Sequence, residues 1–305
     1  MKTRDWASAA ALGAGLLCCG LPASAAPLTL LDGDLKIEMG NLDMAATQYG
    51  GFKERPICTD VASCDKALAE GGKAPGAYGS EDSWGVFSIS RIVRGSTTLW
   101  SQGEAGYYLT GMFYGLTDQY VIAGLNPFSP GQVLTRAYTG GGRLDIYRNT
   151  SDGYVGADTA GESRRTAQDR YSGVTDGVLW LALQFDQGAD STPQGLFASY
   201  INDFTNTNFA GQGQGYLSVV GGEARDQFDT NTMVNGLGGR SDMRLSSTYQ
   251  ADSAVPAWTV VSTTDLIAHA QNTVPEPGSL ALVGTSLGAL GWAGRRRQPR
   301  LNPTP

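Results

Sequence analysis

Val86-Phe87-Ser88-Ile89-Ser90-Arg91-Ile92-Val93 decides how the rest of the chain is read. β-Branched and aromatic residues dominate it, and apolar residues alternate with serine in its first half, the period-two pattern of a half-buried strand. On such a strand Trp84, Val86, Ser88 and Ser90 share one face, and Phe87, Ile89 and Arg91 share the other. Phe87 and Ile89 are the bulkier apolar pair, so their face is expected to meet the main core. Trp84 is then left for a second packing layer or a ligand surface.

Working outward, the same signature recurs at residues 35–39, 107–114, 143–148, 178–185, 196–201, 216–220, 242–248 and 257–262. Gly, Asn, Asp and Pro punctuate the gaps; residues 138–142 (Tyr-Thr-Gly-Gly-Gly) and 187–193 read as turns or loops. Helix signals are few, the best at 61–70 and 265–271. Many short strands without strand–helix–strand alternation imply an all-β domain, an antiparallel β-sandwich or jelly-roll-like fold. No fixed repeat period supports a solenoid.

Composition narrows the function. The 305 residues carry 22 Lys and Arg against 29 Asp and Glu, a formal charge of −7, which does not suit a nucleic-acid binder. There are 42 glycines, roughly twice the usual share of about 7%. The single histidine, His269, leaves Ser-His-Asp and Cys-His nucleophile systems without a base unless it serves. Gly211-Gln212-Gly213-Gln214-Gly215 is followed by neither a helix nor Lys-Ser/Thr, so a phosphate loop is unsupported.

Both ends read as signals. Lys2 and Arg4, an apolar stretch over residues 7–21 and Pro22-Ala23-Ser24-Ala25-Ala26 have the layout of a secretory signal peptide spanning residues 1–26. At the other end, Val274-Pro275-Glu276-Pro277 precedes an apolar segment and then Arg295-Arg296-Arg297. As a helix the apolar segment is roughly 24 Å long, short for a hydrocarbon core of about 30 Å. The arginines would stay cytoplasmic and the body outside the inner membrane. This leaves a body at 27–273 and a tail at 274–305, and removing both ends takes away more cations than acids, so the body is acidic.

The order of motif, short apolar helix and basic cluster resembles the PEP-CTERM sorting signal of Gram-negative bacteria. That resemblance implies an exosortase as processing partner, a transmembrane helix until processing, and an association with exopolysaccharide. Further stretches resemble a group of PEP-CTERM surface proteins: residues 79–86, Leu99-Trp100-Ser101, residues 109–118, Gly215-Tyr216-Leu217-Ser218-Val219 and Trp258-Thr259-Val260-Val261-Ser262. They bring no activity with them.

Within the body, Cys58 and Cys64 form an even pair in an exported chain and read as a disulfide closing a small loop. No further histidine or cysteine stands near to complete a metal site. Glu81 and Asp82 beside Trp84 suit a sugar-binding or glycosidase site, although a turn ahead of a strand explains them as well. Asp32-Gly33-Asp34, residues 152–158 and residues 202–208 offer oxygens of the kind calcium takes, in runs that turns also demand. Tyr107, Tyr108, Tyr114 and Tyr120 either form a stacking surface for carbohydrate or divide between core and surface by strand alternation. The expectation is an exported, non-catalytic envelope or matrix protein with no metal or cofactor. A glycan-binding module and an acid-pair polysaccharide hydrolase are the alternatives.

Overall fold

The structure, a computed structural model, describes residues 32–45, 58–69, 81–125, 133–205, 210–251 and 257–271. The expected signal peptide, the motif at 274–277, the apolar segment and the arginines at 295–297 lie outside these residues. Strand makes up 61% of the structure, in keeping with the all-β expectation.

In chain order the elements are β1 (Gly33–Ala45), α1 (Val61–Ala69), β2 (Ser83–Arg94), β3 (Thr97–Ser101), β4 (Tyr108–Leu125) and β5 (Val133–Asn149). The helix α2 (Ala157–Ala160) and strands β6 (Arg165–Ala167) and β7 (Arg170–Tyr171) follow. Then come β8 (Val178–Asp186), β9 (Tyr200–Thr205), β10 (Gly211–Gly221) and α3 (Arg225–Phe228). The last are β11 (Met233–Val234), β12 (Arg240–Ser241), β13 (Met243–Ala251) and β14 (Val260–Ala270).

Eight of the strands form one antiparallel ring in sequence order: β1, β2, β4, β5, β8, β10, β13 and β14, with β14 pairing back to β1 from Gly33↔Ala270 to Asp43↔Val260. The expected sandwich or jelly roll is therefore replaced by an eight-stranded up-and-down barrel, which leaves no open sheet edge among these strands. Bulges relieve the sheet as it coils, including one between Glu38 and Met39 and another between Asp118 and Tyr120. At one ring position β8 covers the Arg143–Arg148 end of β5, while β9 covers the Leu134–Thr139 end.

Alternation then sorts side chains to the inside or the outside of the wall. Leu35, Ile37, Met39, Phe87, Ile89, Leu109, Ile146, Leu183 and Leu266 turn inward and pack one end of the barrel solid. Trp180 against Phe228 of α3 (rings 5.5 Å apart) and Trp100 stacked on Tyr107 belong to this same core. On the outside, the β5–β8 connection folds back over the wall. There Trp84, Val86, Met112 and Tyr114 meet Tyr171, Val174 and Trp258 in a second core. The Trp258 indole donates to the Ala157 carbonyl at 2.7 Å.

The two faces expected for β2 are found, with Phe87 and Ile89 in the main core and Trp84 in the outer layer. Arg91 departs from the expectation. The bulge leaves Ser90 unopposed between Met39↔Ile89 and Glu38↔Arg91, so Arg91 points outward and pairs with Glu38. Residues 61–69 are helical as read, but 265–271 are not: that segment is the end of β14, held between β1 and β13. Pairing on both edges outweighs local helix propensity there. Residues 138–142 are no turn but the middle of β5, where Gly141 (φ 73°) and Gly142 (φ 102°) carry the strand through a bend that other residues resist.

Cys58 and Cys64 are bonded to each other. Asp60 caps α1 by accepting the Ser63 amide at 2.8 Å, and these hydrogen bonds hold its carboxyl below the usual range. Cys58 exchanges backbone bonds with Val121 and Ala123, so the small loop is pinned to the end of β4. Replacing both cysteines by alanine should lower stability by about 2 kcal/mol, since so short a loop removes little entropy from the unfolded chain. Denaturant unfolding with and without reductant measures this.

Candidate functional site

The packed core fills only one end of the barrel. From Met39 onward the inward positions of β1 turn polar, Asn41 and then Asp43, and β14 faces them with Thr264 and Ser262. Here the barrel holds a cavity of about 780 Å³, its open mouth included. Asp82, Asp118, Asn202 and Ser247 line it together with the rings of Phe113, Phe185, Tyr200, Phe204 and Tyr249. An eight-stranded barrel is wide enough to be filled by side chains or to hold one small ligand. This one does the first at one end and has room for the second at the other.

The polar groups are held by neighbours on the wall. Asn41 donates Nδ2 to Thr264 Oγ1 at 2.9 Å, and the Ser262 hydroxyl donates to Asp43 Oδ2 at 2.7 Å. Tyr200 and Ser247 share a hydroxyl–hydroxyl bond of 2.5 Å. Asp82 Oδ2 accepts the Asp118 amide at 2.6 Å, and Thr139 donates to Asp118 Oδ1 at 2.7 Å. Two buried oxygens, Asn41 Oδ1 and Asp43 Oδ1, have no hydrogen-bond partner among the described residues. Such groups cost free energy in an empty site and reward a ligand that donates to them. Burial pushes the Asp43 carboxyl up to about 7, against the pull of Ser262, and likewise pushes the Tyr200 and Tyr249 phenols up.

The Asp43 shift has a sign for stability. The folded state holds this proton more tightly than the unfolded chain, where the carboxyl titrates near 3.8. Stability from this group is therefore full below that value and falls as pH rises toward about 7. The slope is at most about 1.4 kcal/mol per pH unit. Asp43→Asn should flatten that part of the profile and leave the variant more stable than the parent at pH 8. Denaturant unfolding of both chains between pH 5 and pH 8 tests it.

The residues singled out from the sequence scatter. Glu81 and Asp82 point apart: Asp82 lines the cavity, whereas Glu81 is sealed against Arg165, whose guanidinium lies 4.2 Å over the Trp84 ring. Tyr107 stacks on Trp100 in the packed core. Tyr114 donates to Asp145 at 2.9 Å beneath the outer layer, and Tyr120 packs on an outer cluster with Ile201. Tyr107, Tyr114 and Tyr120 form no joint surface. His269 lies within β14, opposite Asp34, with Nδ1 2.9 Å from that carboxylate. Of the acidic runs, Asn202 enters the cavity while its neighbour Asp203 turns outward to a two-point pair with Arg136 at 2.6 and 2.7 Å. Asp152 caps the Tyr154 amide, which is turn chemistry.

The sequence reading missed the cavity itself. One signal for it was present: the alternation Leu35, Ile37, Met39 continues in phase to Asn41 and Asp43, carrying polar groups to the inner face. Another lies in β10, where Gly213 and Gly215 leave room for Tyr200; a Cβ at Gly213 would stand 1.9 Å from its hydroxyl.

Fold and site together define an eight-stranded barrel, packed at one end and hollow at the other, of a kind suited to binding. The family model for the PEP-CTERM protein-sorting motif matches residues 273–297, so the chain carries that sorting motif. The motif implies export, recognition by an exosortase and transient anchoring in the membrane before processing. No curated protein and no solved structure matches the chain. None of the described helices is long and apolar enough to cross a membrane.

Proposed function

We propose that the body is a non-catalytic binding barrel of the envelope or extracellular matrix, taking saccharide units of exopolysaccharide into its mouth. The observation that carries this is the cavity: aromatic walls beside Asn, Asp, Ser and Thr side chains, with two buried acceptors unpaired. Sugars present both apolar ring faces and hydroxyl donors, which is the complement of such a lining. Glu81 and Asp82, the two carboxylates adjacent in sequence, point apart and do not face one bond as a glycosidase pair would.

Topology supports the placement. β1 begins and β14 ends at the packed end, where Gln271 donates to the Gln227 carbonyl at 2.8 Å. The matched motif starts two residues later, at 273. The cavity lies at the opposite end, around Val260 and Ser262. A barrel tethered through its tail thus presents its mouth away from the membrane and toward the matrix.

The exported chain should co-sediment with exopolysaccharide from its host and release no reducing sugar from it. Sugar release lost on Glu81→Gln or Asp82→Asn would instead favour the hydrolase. Absence of any glycan binding would overturn the reading.

A further inference from the structure

Among the described residues, the ionic side chains lining the cavity are all of one sign. Asp43, Asp82 and Asp118 face it, and among the described residues no lysine, arginine or histidine lines it. Asp82 and Asp118 are engaged by the Asp118 amide and the Thr139 hydroxyl. Asp43 is placed differently. Its Oδ2 takes the Ser262 hydroxyl, and its Oδ1 is buried without a partner among the described residues. Asn41, only 6% exposed and two residues earlier on the same strand face, gives its amide to Thr264 and also leaves an oxygen unpaired. Two residues along one face of a strand span roughly 6.5 Å, so one small ligand can span both side chains. Phe113, Phe185 and Phe204 line the same space, and aromatic faces attract cations.

Acceptors without donors, a negative lining and aromatic walls together select a donor-rich, positively charged group rather than a neutral sugar. We propose that the barrel mouth binds an amino sugar through its unsubstituted, protonated amine, with Asp43 as counter-ion and Asn41 as the second acceptor. This rests on reading the body as a saccharide-binding barrel and names which saccharides it prefers. An ammonium beside Asp43 favours the ionised carboxylate that burial alone disfavours, so amine binding and loss of the Asp43 proton go together. Among the described residues the other ionisable groups facing the cavity are Asp82, Asp118, Tyr200 and Tyr249, none of them basic.

Calorimetric titration of the exported chain with D-glucosamine, N-acetyl-D-glucosamine and D-glucose tests the proposal. D-Glucosamine should bind at least about tenfold tighter than the other two, the worth of one charge-assisted hydrogen bond. Its affinity should fall between pH 7 and pH 5.5, while that of D-glucose stays level. Asp43→Asn keeps an acceptor for Ser262, so the variant should fold, and it should bind D-glucosamine no more tightly than it binds D-glucose. Equal affinity for all three sugars, unaltered in Asp43→Asn, would overturn the amine site and leave the barrel a neutral-sugar binder. No binding of any of the three at millimolar concentration would overturn both.

Discussion

Phe87→Ala should destabilise the barrel by about 3–5 kcal/mol, the range for removing a buried aromatic ring from a core that cannot close around the gap. Phe87 is fully buried in the main core and pairs across the sheet with Gly111 of β4. Its ring lies over that glycine so closely that a Cβ there would stand 2.3 Å from the ring carbon Cζ. The ring thus supplies the side-chain volume that Gly111 lacks. Gly111→Ala should be costly for the converse reason, because the new methyl meets both the ring and the Asp145 carbonyl. Ser88, the next residue, turns outward and accepts from the Gln102 side chain at 2.7 Å. Ser88→Ala should cost only about 1 kcal/mol, the usual net worth of such a bond. Urea unfolding followed by tryptophan fluorescence separates the cases; equal losses at Phe87 and Ser88 would show that the inside and outside of the wall are misassigned.

The contrast between Phe87 and Arg91 shows what the sequence reveals and what it withholds. Alternation places Phe87, Ile89 and Trp84 because a wall with one packed interior and one covered exterior sorts side chains with a period of two. It fails at Arg91, four residues on, because the bulge at Ser90 answers to the partner strand β1. The all-β class is readable for the same local reason. Ring closure is not, since the β1–β14 ladder joins the two ends of the body and nothing near Gly33 names Ala270 as its partner. The end of β14 reads as a helix until both its edges are paired. The cavity is harder still. Asp43 looks like an ordinary surface aspartate until closure brings Ser262 and Tyr249 to the same space. The sorting signal is the opposite case: its parts are contiguous, so residues 273–297 are legible without any fold.

Arg165→Met should also cost about 3–5 kcal/mol, for an electrostatic reason. Arg165 comes from the β5–β8 connection and Glu81 from the segment entering β2, and their ion pair is sealed, with side chains 3% and 0% exposed. Removing the guanidinium leaves the Glu81 charge buried without its counter-ion, and Trp84 loses the cation 4.2 Å from its ring. The pair ties the outer layer to the wall, so the loss should appear first as opening of residues 150–177, seen as hydrogen exchange at amides such as those of Val174 and Thr175, which bond back to Tyr171. Charge and packing separate in the double variant. Met and Leu together fill much of the space of the pair without leaving a charge behind, so Glu81→Leu with Arg165→Met should regain most of the stability that either single change loses. A double-mutant cycle by urea unfolding measures the coupling between the two positions. A single-variant loss below about 1 kcal/mol would place the pair among solvated surface bridges, at odds with its burial. A double variant as unstable as Arg165→Met would mean that the guanidinium holds the outer layer down through its contact with Trp84 rather than through Glu81.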